Sequence, residues 1–169
     1  PSSPARFIVR AVDAASSVPG VQVAGIVSKL PLIAESRRDT ALFVEDKPLA
    51  AGTMPNLHQV VFASPDYFRA MGVPVLEGRT FETVDPTRAV REVILSRSVA
   101  KRYWPRDRAV GKRVRMTPAG EWQTVVGVVG NVRHWGLEQD VPVEHYVLYR
   151  QRPEFALTMA VVVRGGDAT

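Results

Sequence analysis

An amphipathic helix that breaks at a proline–glycine pair and runs at once into a β-rich segment constrains this chain more than any other feature. Over residues 4–17, Phe7, Ala11, Ala14 and Val18 recur at helical spacing, and Arg6, Arg10, Asp13 and Ser17 take the opposite side. Ser3 is placed to cap the helix and Pro4 suits its first position. Pro19-Gly20 stops it, and Val21 to Ser28 reads as a strand closed by Lys29-Leu30-Pro31. Helix, tight turn and strand in this order form the second half of a β-α-β unit whose first strand is not in the sequence. The chain opens on Pro1 and stops just after a further strand, at Gly165-Gly166-Asp167. Both ends read as cuts inside a larger topology, close to membrane segments, although no stretch of the chain itself approaches the ~18 apolar residues of a membrane helix.

The remaining pattern mixes helices and strands without strict alternation. A short strand is expected at Ala41 to Val44 and a better one at Leu57 to Ala63. Ser64-Pro65-Asp66 starts a short helix with Tyr67, Phe68 and Met71 on its apolar face, ended by Gly72. Glu92 to Leu95 is a strand, and Ser96 or Ser98 caps a helix whose buried stripe is Val99, Ala100, Tyr103 and Trp104, ended by Pro105. Gly111 to Met116 and Trp122 to Val129 form an antiparallel pair about Pro118-Ala119-Gly120. The second is nearly all apolar and is expected at the centre of its sheet. Val143 to Tyr149 and Ala156 to Arg164 read as a closing strand pair, after a loop over 130–142. This order predicts an α+β fold rather than a doubly wound sheet.

Chemistry is excluded step by step. There is no cysteine, and hence no disulfide framework, thiol nucleophile or cysteine zinc site. No G-x-S-x-G elbow is present, and Ser64 reads as a helix cap. Gly111-Lys112 is followed by Arg113, and Arg106 stands where a P-loop needs its first glycine. Gly127-Val128-Val129-Gly130 is too short for a dinucleotide fingerprint, so its glycines are read as packing or bulge positions. His58, His134 and His145 have no partners at metal-binding spacing; His134 and His145 meet only if their segments are neighbours, and His58 is expected on a solvated strand face. Glu35, Asp39, Glu45, Asp46, Glu82, Asp85 and Glu138 fall in polar, loop-like stretches and read as solvated surface. No catalytic residue, cofactor site or metal site is expected.

What stands out is charge. The formal net charge is +5. Arg97, Lys101, Arg102, Arg106, Arg108, Lys112, Arg113 and Arg115 crowd into a short stretch countered only by Asp107. Tyr103 and Trp104 within it fall on the apolar stripe and belong to a core rather than to base stacking, which argues against nucleic acid. Arg102, Arg106, Arg108 and Arg113 are the candidate contact surface, for an acidic partner protein or anionic lipid. A face solvated without a specific partner is the plain alternative.

Strings along most of the chain resemble the periplasmic core domain of MacB-like ABC-transporter permeases, of the type with duplicated core domains. They are VPGVQVAGIVSKLPL (Val18 to Leu32), VFASPDYFRAMGVPVLEGRTF (Val61 to Phe81), VILSRSVAKRYWP (Val93 to Pro105), VGKRVRM (Val110 to Met116), WQTVVGVVGNVRHWGL (Trp122 to Leu137) and EHYVLYRQ (Glu144 to Gln151). Departures from the family pattern at Arg108-Ala109, Asn131, Val143 and Leu148 touch turns and strand edges. The resemblance implies two lobes: a porter-like β-α-β lobe over 1–77 and 138–169, and an inserted small α/β lobe of the Sabre kind over 78–137. It implies a non-catalytic periplasmic domain that transmits conformational change or engages substrate or partner during export. Its ATP would be hydrolysed by a cytoplasmic ATPase subunit or domain reached through transmembrane helices. The rival class is a periplasmic ligand- or lipid-binding module.

Overall fold

A computed structural model describes residues 4–30, 38–82, 91–132, 143–151 and 159–165, with the side chains of 4–6 set aside. Ser3, Glu35, Asp85, His134, Trp135 and Glu138 lie outside the described residues. Three α-helices and ten strands are formed among those described: α1 (Pro4–Ser16), β1 (Val21–Val27), β2 (Asp39–Ala41), β3 (Phe43–Val44), β4 (Leu57–Ala63), α2 (Tyr67–Met71), β5 (Val75–Gly78), β6 (Glu92–Ser96), α3 (Arg97–Tyr103), β7 (Arg113–Arg115), β8 (Gln123–Val129), β9 (Glu144–Leu148) and β10 (Ala160–Gly165).

The strands join in one mixed sheet of order β10-β1-β4-β9-β6-β8-β7-β3, with β2 beside β4 and β5 beside β8. The β4–β9 and β6–β8 pairs are parallel and the others antiparallel. The fold is therefore α+β, as the mixed order of elements predicts. The expected antiparallel β7–β8 pair forms, and β8 sits inside the sheet against β6, β7 and β5. The expected closing pair does not form. Instead β9 inserts between β4 and β6 and is buried along its whole length, while β10 forms the opposite edge on β1. Pairing across such sequence distances depends on tertiary packing, which local pattern does not encode.

The register places the ends of the molecule. Strand β1 meets β4 at Val27↔Ala63 alone, so Val21–Ile26 continue past the end of β4 with α1, α2 and β10 packed around them. One hydrophobic cluster gathers Ile8, Ile26, Val61, Tyr67, Phe68, Tyr146 and Val162 there, and reaches Phe81, Ile94 and Val129. A second gathers Leu42, Val44, Val93, Leu95, Val99, Trp104, Ala109, Val114 and Val125 under α3. The described strands on either side of the expected boundaries near 78 and 137 belong to a single hydrogen-bonded sheet, and residue 137 lies outside the described residues.

Helix α1 corrects the reading of its face. Ile8 is buried and Ala11, Val12 and Ala15 are half-buried, whereas Phe7 is 70% exposed and Ala14 and Val18 are exposed. The stripe is rotated by about one position, a small offset that an alanine-rich helix tolerates because its two candidate faces differ little in apolar area. Ser64 is also put to a different use: its hydroxyl accepts a hydrogen bond from Ile26 N at 3.0 Å, tying β1 to α2. Asp66 takes the cap position without a side-chain cap bond and pairs with Arg69 at 2.9 Å. Ser96 occupies the cap position of α3, but its hydroxyl accepts from Glu144 N at 3.2 Å.

Gly127 answers to both of its expected roles. A Cβ there would overlap the carbonyl oxygen of Arg79. The β6–β8 register also slips at that point, from Val93↔Val125 to Ile94↔Gly127.

Candidate functional site

The basic run is divided by the fold into two halves. Helix α3 is short and buries Val99 and Ala100, with Tyr103 half-buried, so Arg97, Lys101 and Arg102 are left exposed on its outer side. Arg106 is exposed in the turn that follows. Among the described residues none of these four forms an ion pair. The second half is compensated within the chain. Arg108, 77% exposed, stands 4.0 Å from Glu77, and Arg113 pairs with Glu45 at 3.0 Å. Lys112 bridges Asp46 at 2.9 Å and Asp107 at 3.0 Å. Arg115 lies over the Trp122 ring at 4.4 Å, a cation–π contact. Of the four candidate contact residues, Arg102 and Arg106 present uncompensated charge, and Arg108 and Arg113 face carboxylates.

Asp46 is the organising acid, and the sequence reading passed it over as solvated surface. Its carboxylate accepts from Trp104 Nε1 at 3.1 Å as well as from Lys112 Nζ. The hydrogen bond from Lys112 holds its carboxyl below the usual range, against the opposing effect of partial burial. Residues 46, 104 and 112 come together only in the folded chain, where β3 pairs with β7 and Asp46 just beyond it reaches Trp104 and Lys112.

Along β4 and β9 lie two buried polar groups that the sequence did not announce, one on each face of the sheet. The parallel register Gln59↔Glu144 and Val60↔His145 draws these side chains inward. Lys29 Nζ donates to Gln59 Oε1 and stands 3.9 Å from Glu144 Oε1, with both charges almost fully buried. Tyr146 OH donates to Glu144 Oε2 at 3.0 Å. Burial, with the Glu144 charge adding to it, pushes the Tyr67 and Tyr146 hydroxyls up. His58 is not on a solvated face: it is 1% exposed, with Nε2 2.8 Å from Tyr103 OH. Its ring lies 6.4 Å from that of His145, which is wholly buried. Burial, and then the charge of Arg102, lowers His58 to about 4. Burial, and then His58, lowers His145 to about 3. Both imidazoles are neutral near pH 7 and belong to the packing of α3 on the sheet. Alternation of buried and exposed residues in the strands was the one signal available for this. It failed because β4 and β9 are covered on both faces.

Among the described residues no group of three or more His, Asp or Glu side chains is arranged to hold a metal ion.

The fold is that of the extracytoplasmic domains carried by ABC-type permeases. The periplasmic region of MacB from Actinobacillus actinomycetemcomitans matches with a TM-score of 0.65 at 16% identity, over 95% of this chain and 65% of that one. A domain of a putative permease from Porphyromonas gingivalis matches at 0.61 and 15% identity, over 93% and 67%. The extracellular domain of the noncanonical ABC-type transporter YknZ from Gram-positive bacteria matches at 0.61 and 17% identity, over 94% and 73%. The chain therefore spans about two thirds of the length of the first two. No curated protein matches.

The model of the MacB-like periplasmic core domain covers residues 2–168, and the chain belongs to that family. It is a periplasmic domain of the ABC-transporter permease kind, and no enzyme family is indicated. No helix among the described residues is long and apolar enough to cross a membrane.

Proposed function

We propose that this domain works mechanically: it carries conformational change, driven by a cytoplasmic ATPase through the transmembrane helices of a full permease, to a partner or substrate outside the membrane. The observation that supports this is the continuous sheet. A strand path from β10 to β3 links the cluster around α1 to the cluster under α3, with β9 fully buried at its middle. From β4 through β9, β6 and β8 the strands pair over several residues each, and β1 joins them at Val27↔Ala63 with Ser28 N donating to Phe62 O and Ser64 N to Ile26 O, so displacement at one end of this ladder moves the other. Each cluster draws on both expected lobes, the first on Phe81, Ile94 and Val129 and the second on Leu42 and Val44, so in this reading the lobes move together rather than as hinged bodies.

The contact surface in this proposal is the outer side of α3 and the turn after it. Arg102 and Arg106 are its centre, joined by Arg97 and Lys101, and Arg108 and Arg113 stand at its margin. An acidic protein surface or anionic headgroups satisfy four outward cations, and exposed pairs of this kind are screened over ~8–10 Å at ordinary ionic strength.

The test uses the full-length permease with its ATPase in lipid nanodiscs, spin-labelled at exposed Met54 and Val163. The distance between the two labels stays constant through ATP turnover, while the distance from either to a label in the membrane-embedded part changes. A label pair that moves within the domain, or a domain that does not move at all, refutes the proposal. Reversal of Arg102, Arg106, Arg108 and Arg113 to Glu in the isolated domain abolishes any salt-sensitive binding to anionic vesicles if lipid is the partner. Binding unchanged by the reversal removes the basic run from the contact surface.

A further inference from the structure

A groove opens between α1 and the sheet, on the cluster opposite to α3. It encloses about 180 Å³, below the ~300–1,000 Å³ of pockets that hold drug-sized molecules. Its floor is apolar: Val9 and Val12 of α1 face Ala24 and Ile26 of β1. Its rim is acidic, with Asp13, Asp66 and Glu82 all on the lining. This is notable in a chain of net charge +5. Asp66 and Glu82 have their own arginine partners, Arg69 and Arg79. Asp13 differs. Its backbone carbonyl accepts from Ser17, but among the described residues its carboxylate has no ion pair or hydrogen bond. Val9, Val12 and Asp13 share one face of α1 at i, i+3 and i+4, so the uncompensated carboxylate stands directly beside the apolar floor. Among the described residues Arg150 is the one cation on the lining; its Nε donates to Tyr149 OH at 2.8 Å and its guanidinium lies 5.5 Å from that ring, which holds it against the tyrosine and leaves it its charge.

We propose that this groove binds a small amphiphile carrying a single ammonium group, the apolar body on Val9, Val12, Ala24 and Ile26 and the charge against Asp13. An apolar floor with a few placed polar groups is the usual composition of a small-molecule site. The Asp13 carboxylate beside the apolar floor selects a cation over an anion of the same shape at that end of the groove, and the volume limits the body to about the size of one aromatic ring with a short tail. This inference does not depend on the mechanical reading, and either stands if the other fails.

The experiment is a methyl-detected NMR titration of the domain with three matched probes: 2-phenylethylammonium, 2-phenylethanol and 3-phenylpropionate. The ammonium gives saturable shifts confined to Val9, Val12, Ala24 and Ile26, and binds at least threefold more tightly than the alcohol and the carboxylate. Asp13→Asn, at an exposed position, removes that preference. Val9→Phe, at a half-buried floor position, fills the groove and abolishes saturation. Absence of saturable shifts, equal binding of the carboxylate, or a preference that survives Asp13→Asn overturns the proposal. The last readout holds even where Val9→Phe disturbs α1.

Discussion

Trp104→Ala should destabilise this domain by about 3–5 kcal/mol, the range for deleting a large buried aromatic. Trp104 is only 5% exposed and packs in the cluster of Val99, Ala100, Ala109, Val114 and Val125. A tryptophan side chain buries ~150–250 Å², worth roughly 4–6 kcal/mol at ~25 cal/mol/Å², and partial collapse of the site brings this into the same range. A smaller part comes from the hydrogen bond of Nε1 to Asp46 at 3.1 Å. Asp46 keeps Lys112 when the indole is lost and is 40% exposed, so that bond contributes about 1 kcal/mol. Trp104→Phe, which keeps the ring and drops the donor, should therefore cost ~1–2 kcal/mol, well short of the alanine variant. Urea denaturation followed by circular dichroism separates the two. With a slope of ~2 kcal/mol/M for a chain of this size, alanine should move the midpoint down by roughly 1.5–2.5 M and phenylalanine by under ~1 M. An alanine variant that loses less than ~1 kcal/mol would refute the packing argument and return Tyr103 and Trp104 to the solvent side as a stacking platform.

Acidification should weaken the fold through His58. Its folded pKa of about 4 lies below the unfolded value of 6.5, so the unfolded state binds the proton first. Its contribution is complete above pH 6.5 and is lost as pH falls toward 4, up to ~3 kcal/mol from this group; His58→Gln should flatten that part of a stability–pH curve, and an unchanged curve would count against the burial. Gly127→Ala should cost on the order of 1–3 kcal/mol, because the added Cβ meets the Arg79 carbonyl rather than a movable side chain; a neutral result in thermal melts would contradict the close approach. Calorimetry with Mg-ATP should show no saturable heat from the isolated domain, since the chain has no P-loop to cradle phosphates; micromolar affinity would overturn the non-catalytic reading.

The elements themselves were legible in the sequence because their causes are local. Pro19-Gly20 ends α1, Gly72 adopts the left-handed conformation that ends α2, and Pro105 follows the end of α3. The apolar run before Gly130 became an inner strand for the same reason: a segment with so little polar surface has to be covered. The family, too, was legible, since its strings lie in these turns and runs. What the sequence could not supply was partnership. Nothing local says that β9 enters between β4 and β6 while β10 leaves for the far edge. The interior polar groups follow from that insertion, because Gln59 meets Glu144 on one face of the sheet and His58 meets His145 on the other only when β4 and β9 run parallel in one register. The division of the basic run has the same origin. Charge is a property of composition, but compensation depends on distance, and Glu45, Asp46 and Glu77 reach Arg113, Lys112 and Arg108 only across the folded sheet. Sequence thus determined which residues carry charge and which segments are rigid. Tertiary structure decided which charges are left facing outward, because electrostatic pairing falls off over a few ångströms and the chain fixes those distances only when it folds.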